Sequence, residues 1–148
     1  MKLTLTKTFL KEQGITIEKD PTKACGYKIM HYARKSNSHV KEFTWRELKP
    51  CIAKRYHKIS KNTTQYYVLS WSNYANDKVK TSFCFPLSRL IYLWYSDLEE
   101  LPPNMDVDHI DNNSLNNDFK NLQLLSRTDN LVKRIMQGAN QYKYGTGN

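Results

Sequence analysis

Three side chains in one short stretch are of the types that hydrolytic chemistry uses: Asp108 and His109 side by side, and Asn130 further along, where a helix is expected to start. A carboxylate and an amide both offer hard oxygen. Asp108 and Asn130 together make an incomplete ligand set, which suits Mg2+ or Mn2+ completed by water and a substrate phosphate far better than zinc. A neutral imidazole with an ordinary pKa of about 6.5 takes a proton from water near neutral pH, which makes His109 the natural general base.

Those groups can meet only if local elements carry them together. Met105 to Ile110 reads as a strand, the Asn/Asp-rich run through Asp118 as a long polar loop, and Leu122-Gln123-Leu124-Leu125 as a second strand. Ser126 reads as the N-cap of a closing helix, with Asp129 at its third position and Asn130 in its first turn. A hairpin laid against a helix brings the end of the first strand near the helix start, where Asp108 and Asn130 can share a cation. Neighbours on a regular strand point to opposite faces, so the strand is expected to end or distort at Asp108 and His109 if both serve one phosphate. Asp111, which opens the Asn-rich turn, is expected to bond backbone and not metal.

The series Asp108-His109-Ile110-Asp111, Asn116-Asn117, Lys120-Asn121-Leu122 and Ser126-Arg127-Thr128-Asp129-Asn130 resembles HNH endonucleases of the His-Asn-Asn type, a pattern shared by phage homing and free-standing nucleases. The resemblance implies an α+β fold: a ββα-metal (His-Me finger) motif preceded by a β-hairpin and a helix. By the same likeness Asp108 and Asn130 hold the metal, His109 activates water, Asn121 braces the loop that bears His109, and cleavage leaves 3′-hydroxyl and 5′-phosphate ends. Two positions depart from the pattern: Asn112 stands where such proteins often have Gly, and Ser88 precedes Arg89 where a His-Arg pair is frequent.

Upstream, Gln65 to Trp71 and Val79 to Phe85 form two β-rich runs around a turn from Asn73 to Asp77, and read as a hairpin. Pro86 opens a helix with the apolar stripe Leu87, Leu90, Ile91, Trp94 and Leu98, ended by Pro102-Pro103. Leu3 to Gln13, closed by Gly14, reads as a short helix. Residues 15–43 show no clear period. Thr44-Trp45-Arg46-Glu47 has the form of a capping box, so a helical turn there and a helix from Pro50 to His57 are expected. The domains expected are a basic DNA-contacting region over 1–63, a nuclease domain over 64–136 with its motif in 105–136, and a flexible tail over 137–148.

Charge follows the same division. Residues 1–103 carry 18 Lys/Arg against 9 Asp/Glu, residues 104–130 carry 2 against 5, and residues 131–148 carry 3 against none, so an acidic island sits in a chain of net charge +9. A carboxylate site facing phosphates needs a cation, while the surrounding bases hold the duplex. Arg89, Lys120, Arg127, Lys133 and Arg134 are phosphate-contact candidates. Three scattered cysteines without a Cys-x-x-Cys pair argue against a disulfide framework or zinc knuckle and read as reduced, buried thiols. His31, His39 and His57 have no partner at ligand spacing.

Without a signal-like apolar start or an apolar run of about eighteen residues, the chain reads as soluble and cytoplasmic, in a phage-infected or bacterial cell, with no membrane and no small-molecule cofactor. The expected activity is hydrolysis of double-stranded DNA by a monomer or homodimer. One centre cuts one strand, so a double break would need dimerisation or rebinding. The alternative is a non-catalytic DNA-binding regulator or packaging accessory that keeps the scaffold. A third reading, RNA binding by aromatic stacking, requires exposed rings, whereas the aromatics of 27–67 are expected in strands and core.

Overall fold

The computed structural model describes residues 4–34, 42–58, 61–74 and 79–143, with the side chains of 138–143 left aside. The protein is α+β, and its described residues form three α-helices and three antiparallel sheets. Helix α1 (Lys7–Glu12) starts at Thr6, whose Oγ1 accepts from the Phe9 amide at 2.9 Å. It stops at Gly14, where φ is +78° and any Cβ would collide with the Tyr32 carbonyl oxygen.

The stretch from 15 to 48 forms one sheet, β1 (Ile15–Lys19), β2 (Tyr27–Arg34) and β3 (Phe43–Leu48), in that order. Ile15, Ile17, Tyr27, Ile29, His31 and Ala33 alternate inward. The period is blurred in sequence because His31, wholly buried, occupies a core position and Tyr32 faces out. The helical turn expected at Thr44 to Glu47 is instead strand β3. Its residues pair with β2, Tyr32 opposite Trp45 and Arg34 opposite Phe43, and that ladder overrides the local capping pattern.

The helix expected from Pro50 to His57 is also a strand, β4 (Cys51–Tyr56), paired with β5 (Thr63–Tyr74), which in turn pairs with β6 (Lys80–Pro86). Pro50 separates β3 from β4, and the partner that selects strand over helix lies a dozen residues away. The β5–β6 hairpin is where the sequence placed it. Helix α2 (Leu87–Tyr95) buries Leu87, Leu90, Ile91 and Leu93 completely, but it ends before Leu98.

One apolar core joins α1, the first two sheets, α2 and Leu122 near the carboxyl-terminal end of the fold, through Leu10, Ile29, Leu69 and Leu90 among others. Of the cysteines only Cys25 is buried; Cys51 and Cys84 are exposed free thiols, set on the outer edges of the second sheet. The aromatics of 27–67 do lie in strands, yet Tyr32, Phe43, Trp45 and Tyr56 are exposed, at 44, 56, 52 and 61%. No helix among the described residues is long and apolar enough to cross a membrane.

Candidate active site

The last hairpin is β7 (Met105–His109) and β8 (Leu122–Ser126), in register from Met105 opposite Ser126 to His109 opposite Leu122. Between them run the Asn-rich loop and a single 3-10 turn, Phe119–Asn121. Helix α3 (Arg127–Lys143) packs across both strands. Ser126 Oγ accepts from the Asp129 amide at 3.1 Å, so the cap is the expected one, with Asp129 in the first turn. The helix runs on through Gly138 to Lys143, into what reads in sequence as a tail; residues 144–148 lie outside the described ones.

Period two along β7 sends Asp106 and Asp108 to one face, and the three-residue spacing along α3 puts Asn130 and Lys133 on one face. These two faces meet. Asn130 Nδ2 donates to Asp106 Oδ2 at 3.2 Å, and Lys133 Nζ donates to Asp108 Oδ2 at 2.5 Å and to the His109 carbonyl at 2.8 Å. Gln123, opposite Asp108 across the hairpin, donates to the same Asp108 oxygen at 2.9 Å. Among the described residues no hydrogen bond joins Asp108 to Asn130, and none of the described His, Cys, Asp and Glu side chains form a metal-holding cluster of three.

His109 is the last residue of β7, and its side chain leaves for a different neighbour. Its Nε2 lies 2.8 Å from Asn117 Oδ1. An amide oxygen only accepts, so Nε2 is the donor in this contact, which leaves Nδ1 as the acceptor of the neutral tautomer. Asn117 is itself buried at 3% exposure, and its main-chain oxygen accepts from the Tyr27 hydroxyl at 2.6 Å, across ninety residues of chain. Its Nδ2 is buried without a partner. Burial and the neighbouring Asp118 charge push the Tyr27 phenol well above its usual range, so it is a fixed donor.

The loop is braced by Asn121 and Asp111. Asn121 accepts from the Ile110 amide through its carbonyl (2.8 Å) and from the Asp111 amide through Oδ1 (3.1 Å), and Nδ2 donates to Asp111 Oδ1 and the Asn116 carbonyl, both at 2.9 Å. Asp111 also accepts from Asn116 and the Asn113 amide. Those donors hold its carboxyl below the usual carboxylate range, with the Asn116 bond the largest cause. Asn112 sits at φ +63°, a conformation Gly takes freely and Asn tolerates, which accounts for the Asn found there.

Of the residues singled out in sequence, Asp108, Asn130 and Lys133 thus gather between β7 and α3, while His109 and Asn121 gather around the loop. Lys133 is committed to Asp108 and not to solvent. Lys120, Arg127 and Arg134 are exposed and Arg89 half-buried. The contacts of Asp106, Gln123 and Asn117 were not anticipated. Two signals pointed to the first: the i, i+2 spacing of Asp106 and Asp108, and the i, i+3 spacing of Asn130 and Lys133. Asn117 gave none, because asparagines crowd that loop. His31 and His57 are packing and turn residues, bonded to Asn73 and Thr64; His39 lies outside the described residues.

A profile of the HNH endonuclease family matches residues 93–132. No curated protein and no solved structure matches the chain. The matched stretch spans the end of α2, the whole last hairpin and the first turns of α3, and contains Asp108, His109, Asn121 and Asn130. The α+β architecture is compatible with an HNH domain, and over that stretch, a little over a quarter of the chain, the match supports an HNH nuclease family.

Proposed function

We propose that this protein is a metal-dependent DNA endonuclease whose centre is the β7–β8–α3 unit read as a ββα-metal motif. The observation that carries this reading is the meeting of the two faces: carboxylates of Asp106 and Asp108 opposed to Asn130, with the Lys133 ammonium seated on Asp108. That place already holds a positive charge on hard oxygen donors. Asn130 spends its amide nitrogen on Asp106 and so keeps an oxygen to offer. The donors fit Mg2+ or Mn2+, held by Asp108 and Asn130 with Asp106 beside them. A divalent cation bound there supplies positive charge to a scissile phosphate and to the departing oxygen.

The chain's own groups do the rest. Asn117 fixes the His109 ring so that Nδ1 is its acceptor, and Nδ1 removes the proton from the attacking water. The water oxygen bonds to phosphorus as the bond to the 3′ oxygen breaks, and that oxygen leaves and takes a proton from solvent water to become the 3′-hydroxyl. Asn121 holds the loop that bears His109, a positioning role. Exposed Lys120, Arg127 and Arg134 take neighbouring phosphates of duplex DNA.

The test is conversion of supercoiled plasmid to nicked or linear form with Mg2+, Mn2+ or EDTA, for the native chain and His109→Ala. Cleavage that needs both the metal and His109 supports the enzyme. The Lys133 contact favours a second reading, a DNA-binding protein in which lysine permanently neutralises Asp108. That reading requires DNA retention with no nicking under any of these conditions.

A further inference from the structure

Strand β5 is longer than the sheet it belongs to. Its residues Val68–Tyr74 pair with β6, whereas Thr63–Tyr67 pair only with β4. The segment of β4 and β5 from Cys51–Tyr56 to Thr63–Tyr67 is therefore a two-stranded ribbon that projects past β6. In β4 every residue but Ala53 is exposed, and Thr63, Thr64 and Gln65 are exposed as well, so both faces of the outer ribbon are wet. Such a ribbon alone is marginal in water. Its end is held by the His57 amide on the Asn62 carbonyl at 2.8 Å and by the His57 ring on Thr64 at 2.9 Å.

Charge indicates what covers it. No Asp or Glu occurs between Leu48 and Asn76, and that interval holds Lys49, Lys54, Arg55, Lys58 and Lys61. The two faces differ. On one, Arg55 lies over the Tyr66 ring, 5.6 Å from its centre. On the other, Lys54 stands directly across from Gln65, flanked by Ile52 (50% exposed) and Tyr56 (61% exposed). Among the described residues nothing bonds the Lys54 or Gln65 side chains. Lysine suits the two acceptors of guanine, glutamine the donor and acceptor of adenine, and an apolar side chain the thymine methyl. The major groove of B-form DNA, about 12 Å wide, admits a two-stranded ribbon.

We infer that the β4–β5 ribbon is the DNA-reading element: it enters the major groove with its Lys54/Gln65 face toward the base edges, while Lys49, Lys58 and Lys61 engage phosphates. The inference rests on the nuclease reading for the class of partner, deepens it by naming the reader, and is separable from it by experiment. The full chain is bound in EDTA to a randomised B-form duplex of about three helical turns, so that no metal-dependent cutting intervenes. Three chains are compared: native, Lys54→Ala with Gln65→Ala, and Lys49→Ala with Lys58→Ala and Lys61→Ala. All five positions lie outside the core, so unchanged thermal unfolding verifies the fold.

The native chain is expected to enrich a preferred sequence and to be blocked by methylation of guanine N7. The double variant loses that preference, on the order of tenfold in affinity for the enriched duplex, with its salt dependence intact. The triple variant weakens on all sequences, and its slope of log affinity against log salt falls by roughly three over about 50–200 mM salt. Equal competition by double-stranded RNA, whose major groove is too deep and narrow to read, overturns the inference, as does native-like binding by both variants. Plasmid nicking in Mg2+ reports separately. Ribbon-dependent binding without nicking sinks the nuclease reading and keeps the ribbon; nicking with ribbon-independent binding does the reverse.

Discussion

Replacing Lys133 with Met should make the protein bind a divalent cation more tightly. Met keeps the apolar stem and removes the ammonium that sits 2.5 Å from Asp108 Oδ2. A cation arriving at Asp108 must displace that ammonium, so the affinity measured in the native chain is reduced by whatever the contact is worth. The two side chains are 24% and 12% exposed, which places the pair between a surface ion pair, worth about 0.2–1 kcal/mol, and a buried one, whose rupture costs about 3–5 kcal/mol. An intermediate value of about 1–2 kcal/mol corresponds to about 5- to 30-fold tighter binding. Titration calorimetry with Mn2+ on the DNA-free protein reads this directly. The rise in melting temperature at a fixed Mn2+ concentration should also be larger in the variant, because ligand stabilisation grows with the ratio of concentration to Kd. Unchanged affinity would show that the cation does not use the Lys133-bound oxygen, and weaker affinity would show that Lys133 helps to build the site; either result refutes the competition.

Tyr27→Phe keeps the buried ring but leaves the Asn117 carbonyl without its donor, which should cost about 1–3 kcal/mol in urea unfolding and lower the nicking rate more than it alters DNA affinity. Leu90→Ala, at a fully buried position of α2, should cost about 2–5 kcal/mol in the same assay. Burial holds the His31 pKa below its ordinary value, against the Asn73 hydrogen bond that favours the charged ring. The unfolded chain therefore takes up the proton first. Stability from this group is complete above pH about 6.5 and is lost as pH falls from there toward the folded value, by at most about 1.4 kcal/mol per pH unit. Unfolding curves between about pH 7.5 and 5.5 should show the slope in the native chain and a shallower one in His31→Gln.

The carboxyl-terminal half was legible because its signals are local. The stripe on α2, the paired β-rich runs, the strand from Met105 and the capped helix after Ser126 each announce themselves within about a dozen residues, and the last two carry Asp108, His109 and Asn130. The first two sheets were less legible because their decisive partners are distant. Thr44 to Glu47 has a helix-start pattern, but Trp45 finds Tyr32 across a ladder, and Cys51 to Tyr56 becomes a strand only because Thr63 to Val68 lies beside it. Within the site, the pairing of Lys133 with Asp108 depends on how α3 crosses β7, a tertiary fact. The hold of Asn117 on His109 depends on which of several asparagines the loop turns inward.

The Tyr27 to Asn117 bond, with the Lys7 amide on the Glu99 carbonyl and the bridge between Thr6 and Glu100, ties residues 6–27 to parts made some ninety residues later. During synthesis at about 5–20 residues per second, α1 and the first sheet wait roughly 5–20 s for the surfaces they dock against. Meanwhile Leu10 and Ile29 have only part of their core. The β7–β8 hairpin is quick to form once made, being local, but its histidine is held by Asn117, and Asn117 by a tyrosine that emerged long before. The hold on the His109 ring is therefore complete only when strand β2 has closed over the Asn117 loop, two parts made some ninety residues apart.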